Sequence, residues 1–214
     1  MNDKIAIVSS RRALRVAAAA ALAALALGGC AAVVVGGAAV GTAMVVTDRR
    51  TAGVQLEDQN IELKSLTRIR ETVGERGHVN VTSFNRMVLL TGEVPSEADR
   101  SALEQSITKI ENVRSTVNEL AVMGPSSMTA RSNDTILTSK VKASFIDAKD
   151  LHANAVKVVT ERGVVYLLGR VTEREANRAT ELARGVPGVQ KVVKVLEILT
   201  EAERAALGSE NKKN

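Results

Sequence analysis

Two stretches of the chain carry the same alternation of apolar and polar positions. Val79-Asn80-Val81 and then Met87 through Ala98 line up, 77 residues later, with Val156-Lys157-Val158 and Val164 through Glu175. The match continues beyond the glycine. Asn112-Val113, followed by Val117 and Leu120, is echoed by Gly188-Val189, followed by Val193 and Leu196, after a shift of one residue. Self-similarity at this spacing is the mark of one supersecondary unit used twice.

Each copy opens with a segment of helical period, 61–71 in the first and 135–147 in the second. A short alternating strand, a turn and a second strand ending in Gly92 or Gly169 follow, and Asn85-Arg86 and Arg162-Gly163 suit hairpin turns. Ser96 before Glu97, and Thr172 before Glu173, place a hydroxyl ahead of acidic first-turn residues and so open a helix. In the second copy Ala176, Ala179 and Ala183 recur at helical spacing until Gly185 and Pro187 stop them. A last alternating strand covers 113–122 or 189–199. The order is αββαβ twice, an α+β class, with each copy long enough for a small domain. Gly124, Pro125, Ser126 and Ser127 mark the boundary between the copies, and so short a connection lets them touch.

The N-terminal pattern is different. Lys4, Arg11, Arg12 and Arg15 precede Val16 through Leu27, an uncharged run of Ala, Leu and Val, and Leu27-Gly28-Gly29-Cys30 follows with the only cysteine of the chain. These are the parts of a secretory signal. Leu at −3 and Gly at −1 resemble the bacterial lipobox, which implies that residues 1–29 are removed and that Cys30 carries S-diacylglycerol and N-acyl lipid. Two alternatives stay open on the residues alone. Cys30 could follow an ordinary signal by chance, or residues 16–46, which carry no charge, could span a bilayer uncleaved, although five glycines interrupt them. Ala32, the second residue after Cys30 rather than an aspartate, implies by the same resemblance sorting to the outer membrane, facing the periplasm. Several acyl chains, at about 0.8 kcal/mol for each buried methylene, would hold the protein there.

Charge matters only after this correction. Of the net +5, residues 1–29 supply +3, four cations against Asp3, which leaves about +2 for the remainder. With Phe84, Phe145 and Tyr166 as the only rings, and no basic run interleaved with aromatics, the composition argues against nucleic acid as a partner. His78 and His152 lack neighbouring ligands at metal-binding spacing, and no nucleophile motif or phosphate loop is present, so neither a metal, a cofactor nor an enzyme activity is expected. Glu97 and Glu173 to Glu175 fall in first turns, where they complement the helix dipole.

The strand-turn-strand pattern with Leu-Leu-x-Gly-x-Val, the acidic helix and the Gly-Val or Asn-Val step resemble the BON domain. The likeness is strongest in Ser132-Asn133-Asp134-Thr135, Lys140-Val141 and Val171 through Ala176. Two such domains after a lipobox resemble the dual-BON outer-membrane lipoproteins. The resemblance implies a three-stranded mixed sheet packed against two helices in each domain, and binding of anionic phospholipid through the first helix of the second domain. It also implies a role in outer-membrane integrity and at division sites. The expected organisation is a signal over 1–29, a lipidated tether over 30–56, BON domains over 57–123 and 133–200 with a linker over 124–132, and a charged tail over 201–214.

The residues of that helix can be read without the resemblance. Asn133 or Asp134 can cap it, and Leu137, Val141, Phe145 and Ala148 form a face for the sheet. Ile136 falls off that face and projects near Lys140, with Lys142 as a second cation. An exposed apolar side chain beside lysines suits shallow insertion among anionic headgroups. The expected phospholipid-binding residues are Thr135, Ile136, Leu137, Ser139, Lys140 and Lys142. The same pattern also describes an ordinary domain helix, and the first copy has one of equal charge, with Ile61, Leu63, Leu66 and Ile69 among Lys64, Arg68 and Arg70. Charge alone does not choose between the copies, and a protein-interaction adaptor for envelope assembly machinery stands as the alternative.

Overall fold

The computed structural model describes residues 48–210, so the expectations for Cys30, the signal and most of the tether lie outside the described residues. The first repeat contains helix α1 (Ala52–Thr72), strands β1 (His78–Phe84) and β2 (Met87–Val94), helix α2 (Glu97–Thr108), and strands β3 (Ser115–Asn118) and β4 (Ala121–Val122). The second contains α3 (Met128–Asp147), β5 (Val156–Glu161), β6 (Val164–Thr172), α4 (Glu173–Arg184) and β7 (Lys191–Leu199), and α5 (Glu201–Glu210) follows. In each sheet the central strand pairs antiparallel with its hairpin partner and parallel with the strand after the second helix. This is the mixed α+β sheet expected from the repeat.

The hairpins turn as their residues suggested. Asn85 and Arg86 have φ of 52° and 63°, and Arg162 and Gly163 have 51° and 73°. Two consecutive positive φ values match the right-handed twist of the flanking strands. Ser96 and Thr172 are N-caps, and Thr172 forms a full capping box with Glu175.

Side-chain alternation on the central strands produces three cores rather than two. Val88, Leu90 and Val94 pack with Ile61, Leu103 and Ile107 beneath the first pair of helices. Val165, Leu167 and Val171 pack with Leu137, Val141, Phe145 and Ala176 beneath the second. The residues between them point the other way. Phe84 and Leu89 meet Tyr166, Leu168 and Val195 in a third buried cluster that joins the two sheets. The result is four layers, helices, sheet, sheet, helices, with α1 and α3 on opposite outer sides. Asn80 to Glu161 at 2.7 Å, Asn85 to Glu197 at 2.6 Å and Arg114 to Glu197 at 2.9 Å tie the sheets at the rim of this seam.

Residues 48–50 reach both repeats. Arg50 pairs with Asp58 at 2.8 Å, and its guanidinium lies 4.0 Å above the ring of Phe84. Arg49 donates two hydrogen bonds of 2.7 Å to the carboxylate of Glu175, whose side chain is 1% exposed. Burial opposes the charge on Glu175, but Arg49 and the backbone N–H of Thr172 outweigh it and hold the carboxyl down at about 2.

Several boundaries differ from those expected. Both first helices begin earlier, α1 at Ala52 inside the expected tether and α3 at Met128 inside the expected linker. Their caps are Thr51 and Ser127, whose hydroxyls accept from Val54 and Ala130 N–H. Asn133 and Asp134 therefore do not cap α3. The opening turns are polar on most sides, so periodicity does not reveal them. The strand expected over 113–122 is broken into β3 and β4 by Glu119 and Leu120, and Glu201–Glu210 of the expected tail is helical. Among the described residues no helix is long and apolar enough to cross a membrane.

Candidate functional site

Asp134 sits inside α3 and is 8% exposed. A carboxylate there is costly unless donors meet it. The hairpin supplies them: the N–H of Arg162 donates to one oxygen at 2.7 Å and that of Gly163 to the other at 2.8 Å. The N–H of Gln190 in turn donates to the Gly163 carbonyl at 2.9 Å. One acid thus fixes the helix, the hairpin tip and the loop before β7 in a single arrangement.

A groove of about 520 Å³ lies between these three elements. Asp134, Ile136, Leu137 and Lys140 line the helical wall, Arg162 the hairpin wall, and Pro187 with Gln190 the loop wall. Ile136 is 54% exposed, and Lys140 and Arg162 are exposed as well. Among the described residues no carboxylate pairs with either cation, and the Arg162 guanidinium donates to the sulfur of Met123 at 2.8 Å.

The expected residues separate into two sets. Ile136, Leu137 and Lys140 share the groove, although Leu137 is buried in the core and offers only its edge. Lys142 does not join them. At about 100° per residue it lies about 120° round the helix from Ile136, on the outward face with Thr135 and Ser139. The hydroxyls of Thr135 and Ser139 donate to carbonyls four residues back, both at 3.0 Å. The second cation near Ile136 is Arg162, which sequence reasoning assigned only to a turn. A comparison of the repeats could have drawn attention to it, because the corresponding turn residue of the first repeat is the neutral Asn85.

At the matching positions of the first repeat the chain supplies its own partners, beside a smaller groove of about 320 Å³ lined by Lys64 and Glu111. Asp58 holds the N–H groups of Asn85 and Arg86 at 2.8 and 2.7 Å, as Asp134 holds its hairpin, but it also takes the Ser83 hydroxyl at 2.6 Å and the Arg50 guanidinium. Ser126 stands in the second repeat where Arg50 stands in the first. Lys64, the counterpart of Lys140, pairs with Glu111 at 3.6 Å, whereas Lys140 faces Pro187 at that place. Asn112 donates to Glu57 at 2.9 Å, and the second repeat has Gly188 and Asn133 instead.

Known proteins are similar to this chain in sequence. The BON domain model matches twice, over residues 57–124 and 133–200. The chain is 39% identical over 160 residues to the outer membrane lipoprotein DolP of Haemophilus influenzae, covering 73% of this chain and 82% of that protein. It is 30% identical to the 21 kDa hemolysin of Actinobacillus pleuropneumoniae, over 70% of this chain and 78% of that one. With the osmotically-inducible protein Y of Escherichia coli it shares 31% identity over 53% of this chain and 58% of the relative. The duplicated αββαβ unit, its paired sheets and these matches agree, and the chain belongs to the BON-domain family, with two BON domains in tandem.

Proposed function

We propose that this protein is an outer-membrane lipoprotein, acylated at Cys30 and facing the periplasm, which binds anionic phospholipid through α3 of its second BON domain and so supports the integrity of the outer membrane, including at division sites. The observation that carries the reading is Ile136, 54% exposed beside Lys140 on a helix whose other side is fixed to the core. An isoleucine of this exposure can enter the acyl boundary while each nearby cation contributes about 1 kcal/mol at an anionic surface. The similarity to a named outer membrane lipoprotein supports the compartment. The test is the double variant Ile136→Asp with Lys140→Glu in an acylation-blocked Cys30→Ser chain. It is expected to lose binding to phosphatidylglycerol and cardiolipin micelles with its circular dichroism unchanged, and unaltered binding would remove α3 as the lipid site.

One observation favours a second reading, an adaptor for envelope assembly proteins. Leu56, Leu63 and Leu66 on α1 are 59%, 64% and 40% exposed and lie along one outward stripe. The four layers turn this stripe away from α3. A bilayer engaged by α3 leaves it free for a protein partner, and capture of such a partner that survives the double change in α3 would support the adaptor.

A further inference from the structure

We propose that the groove between α3, the hairpin tip and the 187–190 loop seats the phosphodiester headgroup of one anionic glycerophospholipid, with Lys140 and Arg162 on either side of the phosphate and the acyl chains leaving over Ile136 and Pro187. The inference rests on the reading that the second repeat meets lipid. It goes further by replacing a flat charged surface with a bounded seat for a single molecule.

Shape and charge both support it. At about 520 Å³ the groove lies within the range of small-molecule sites. Its walls are held before any ligand arrives, by the two N–H groups on Asp134 and by the Gln190 N–H on Gly163. The same contacts occupy both oxygens of Asp134, and against this one acid the groove sets two exposed cations, Lys140 and Arg162. Ile136, Leu137 and Pro187 give that space an apolar side, and a molecule with a charged head and an oily body matches both. A water-soluble phosphate would match only the cations.

The first repeat makes the charge argument comparative. There Glu111 occupies Lys64, Glu57 occupies Asn112 and Arg50 covers Asp58, so the chain supplies its own counter-groups at each matching position. In the second repeat Pro187, Asn133 and Ser126 replace Glu111, Glu57 and Arg50. The substitutions remove both acids that would compete with a phosphate. They also remove the arginine that would cover the carboxylate, and so leave the groove open.

The full-length lipoprotein in phosphatidylcholine nanodiscs would be titrated with glycerophosphoglycerol, the deacylated anionic headgroup, while the amide NMR signals of Gly163, Gly188 and Gln190 are followed. Saturable shifts at these three residues are expected. Arg162→Gln should weaken the apparent affinity about tenfold, the size expected for loss of one charge-assisted hydrogen bond. Lys142→Gln, which removes the same charge outside the groove, should leave it unchanged. Absence of shifts in the groove, or equal losses in the two variants, overturns the seat. If nanodiscs containing phosphatidylglycerol still perturb α3 in that case, lipid binding by the second repeat survives without it. If they do not, the seat and the lipid reading fall together.

Discussion

The two BON domains share one backbone plan and surround it with different side-chain pairs. In the first, Asp58 gathers two backbone N–H groups, a hydroxyl and Arg50, and the neighbouring positions pair among themselves. In the second, Asp134 performs only the hairpin task, and among the described residues no carboxylate pairs with Lys140 or Arg162. A duplicated unit can therefore keep its folding logic in both copies while the pairing of the surrounding side chains diverges. The strand plans differ only in the break between β3 and β4, where the second domain has the continuous β7. The difference in surface lies in three single-residue replacements, Arg50 by Ser126, Glu57 by Asn133 and Glu111 by Pro187.

The sharpest break of this comparison is at the two aspartates. Asp58→Ala frees two backbone donors, a buried hydroxyl and a guanidinium, and should destabilise by about 3 kcal/mol, whereas Asp134→Ala, which frees two donors, should cost about 2 kcal/mol. Chemical denaturation of the two variants checks the order, and equal costs would show that Arg50 and Ser83 add nothing to Asp58.

A second contrast is acidic. Glu175 is buried against Arg49, while its counterpart Asp99 meets Arg76 in the open, where the Arg76 and Ser96 hydrogen bonds hold its carboxyl down. Because the folded-state carboxyl of Glu175 lies at about 2 and its ordinary value is 4.5, its contribution is complete above about pH 4.5 and is lost as the pH falls toward 2. Melting temperature followed over that interval should decline less steeply in Arg49→Ala than in the wild type, and parallel profiles would contradict the assignment.

The smallest expected effect tests the groove itself. Pro187→Glu gives Lys140 the acid that Lys64 already has, so stability should change by less than about 1 kcal/mol while binding to phosphatidylglycerol vesicles weakens about threefold. Unchanged vesicle binding would mean that the free charge of Lys140 is not what distinguishes the domains.

Much of the fold is legible in the residues because its signals are local. Hairpin residues able to adopt positive φ, hydroxyl caps before acids, and alanines at helical spacing all act within a few positions. The early turns of α1 and α3 are not, since their polar residues find their uses in contacts distant in sequence. Asp134 reads as a cap by local chemistry, and only the returning hairpin shows why it sits within a helix. The seam between the sheets had a visible sign: Val88, Leu89 and Leu90, like Tyr166, Leu167 and Leu168, are apolar in succession, as strands covered on both faces are. Ile136 and Lys140 were legible from helical spacing. Arg162 was not, because its place beside them depends on a contact between α3 and a turn 28 residues away.

The clasp made by Arg49 and Arg50 has a mechanical meaning. Any pull on the segment before Asp48 arrives first at two ion pairs, one in each domain, bracketing the aromatic seam. The load is thereby shared between the halves at their junction. Adjacent residues thus grip both domains, Arg49 the second through Glu175 and Arg50 the first through Asp58.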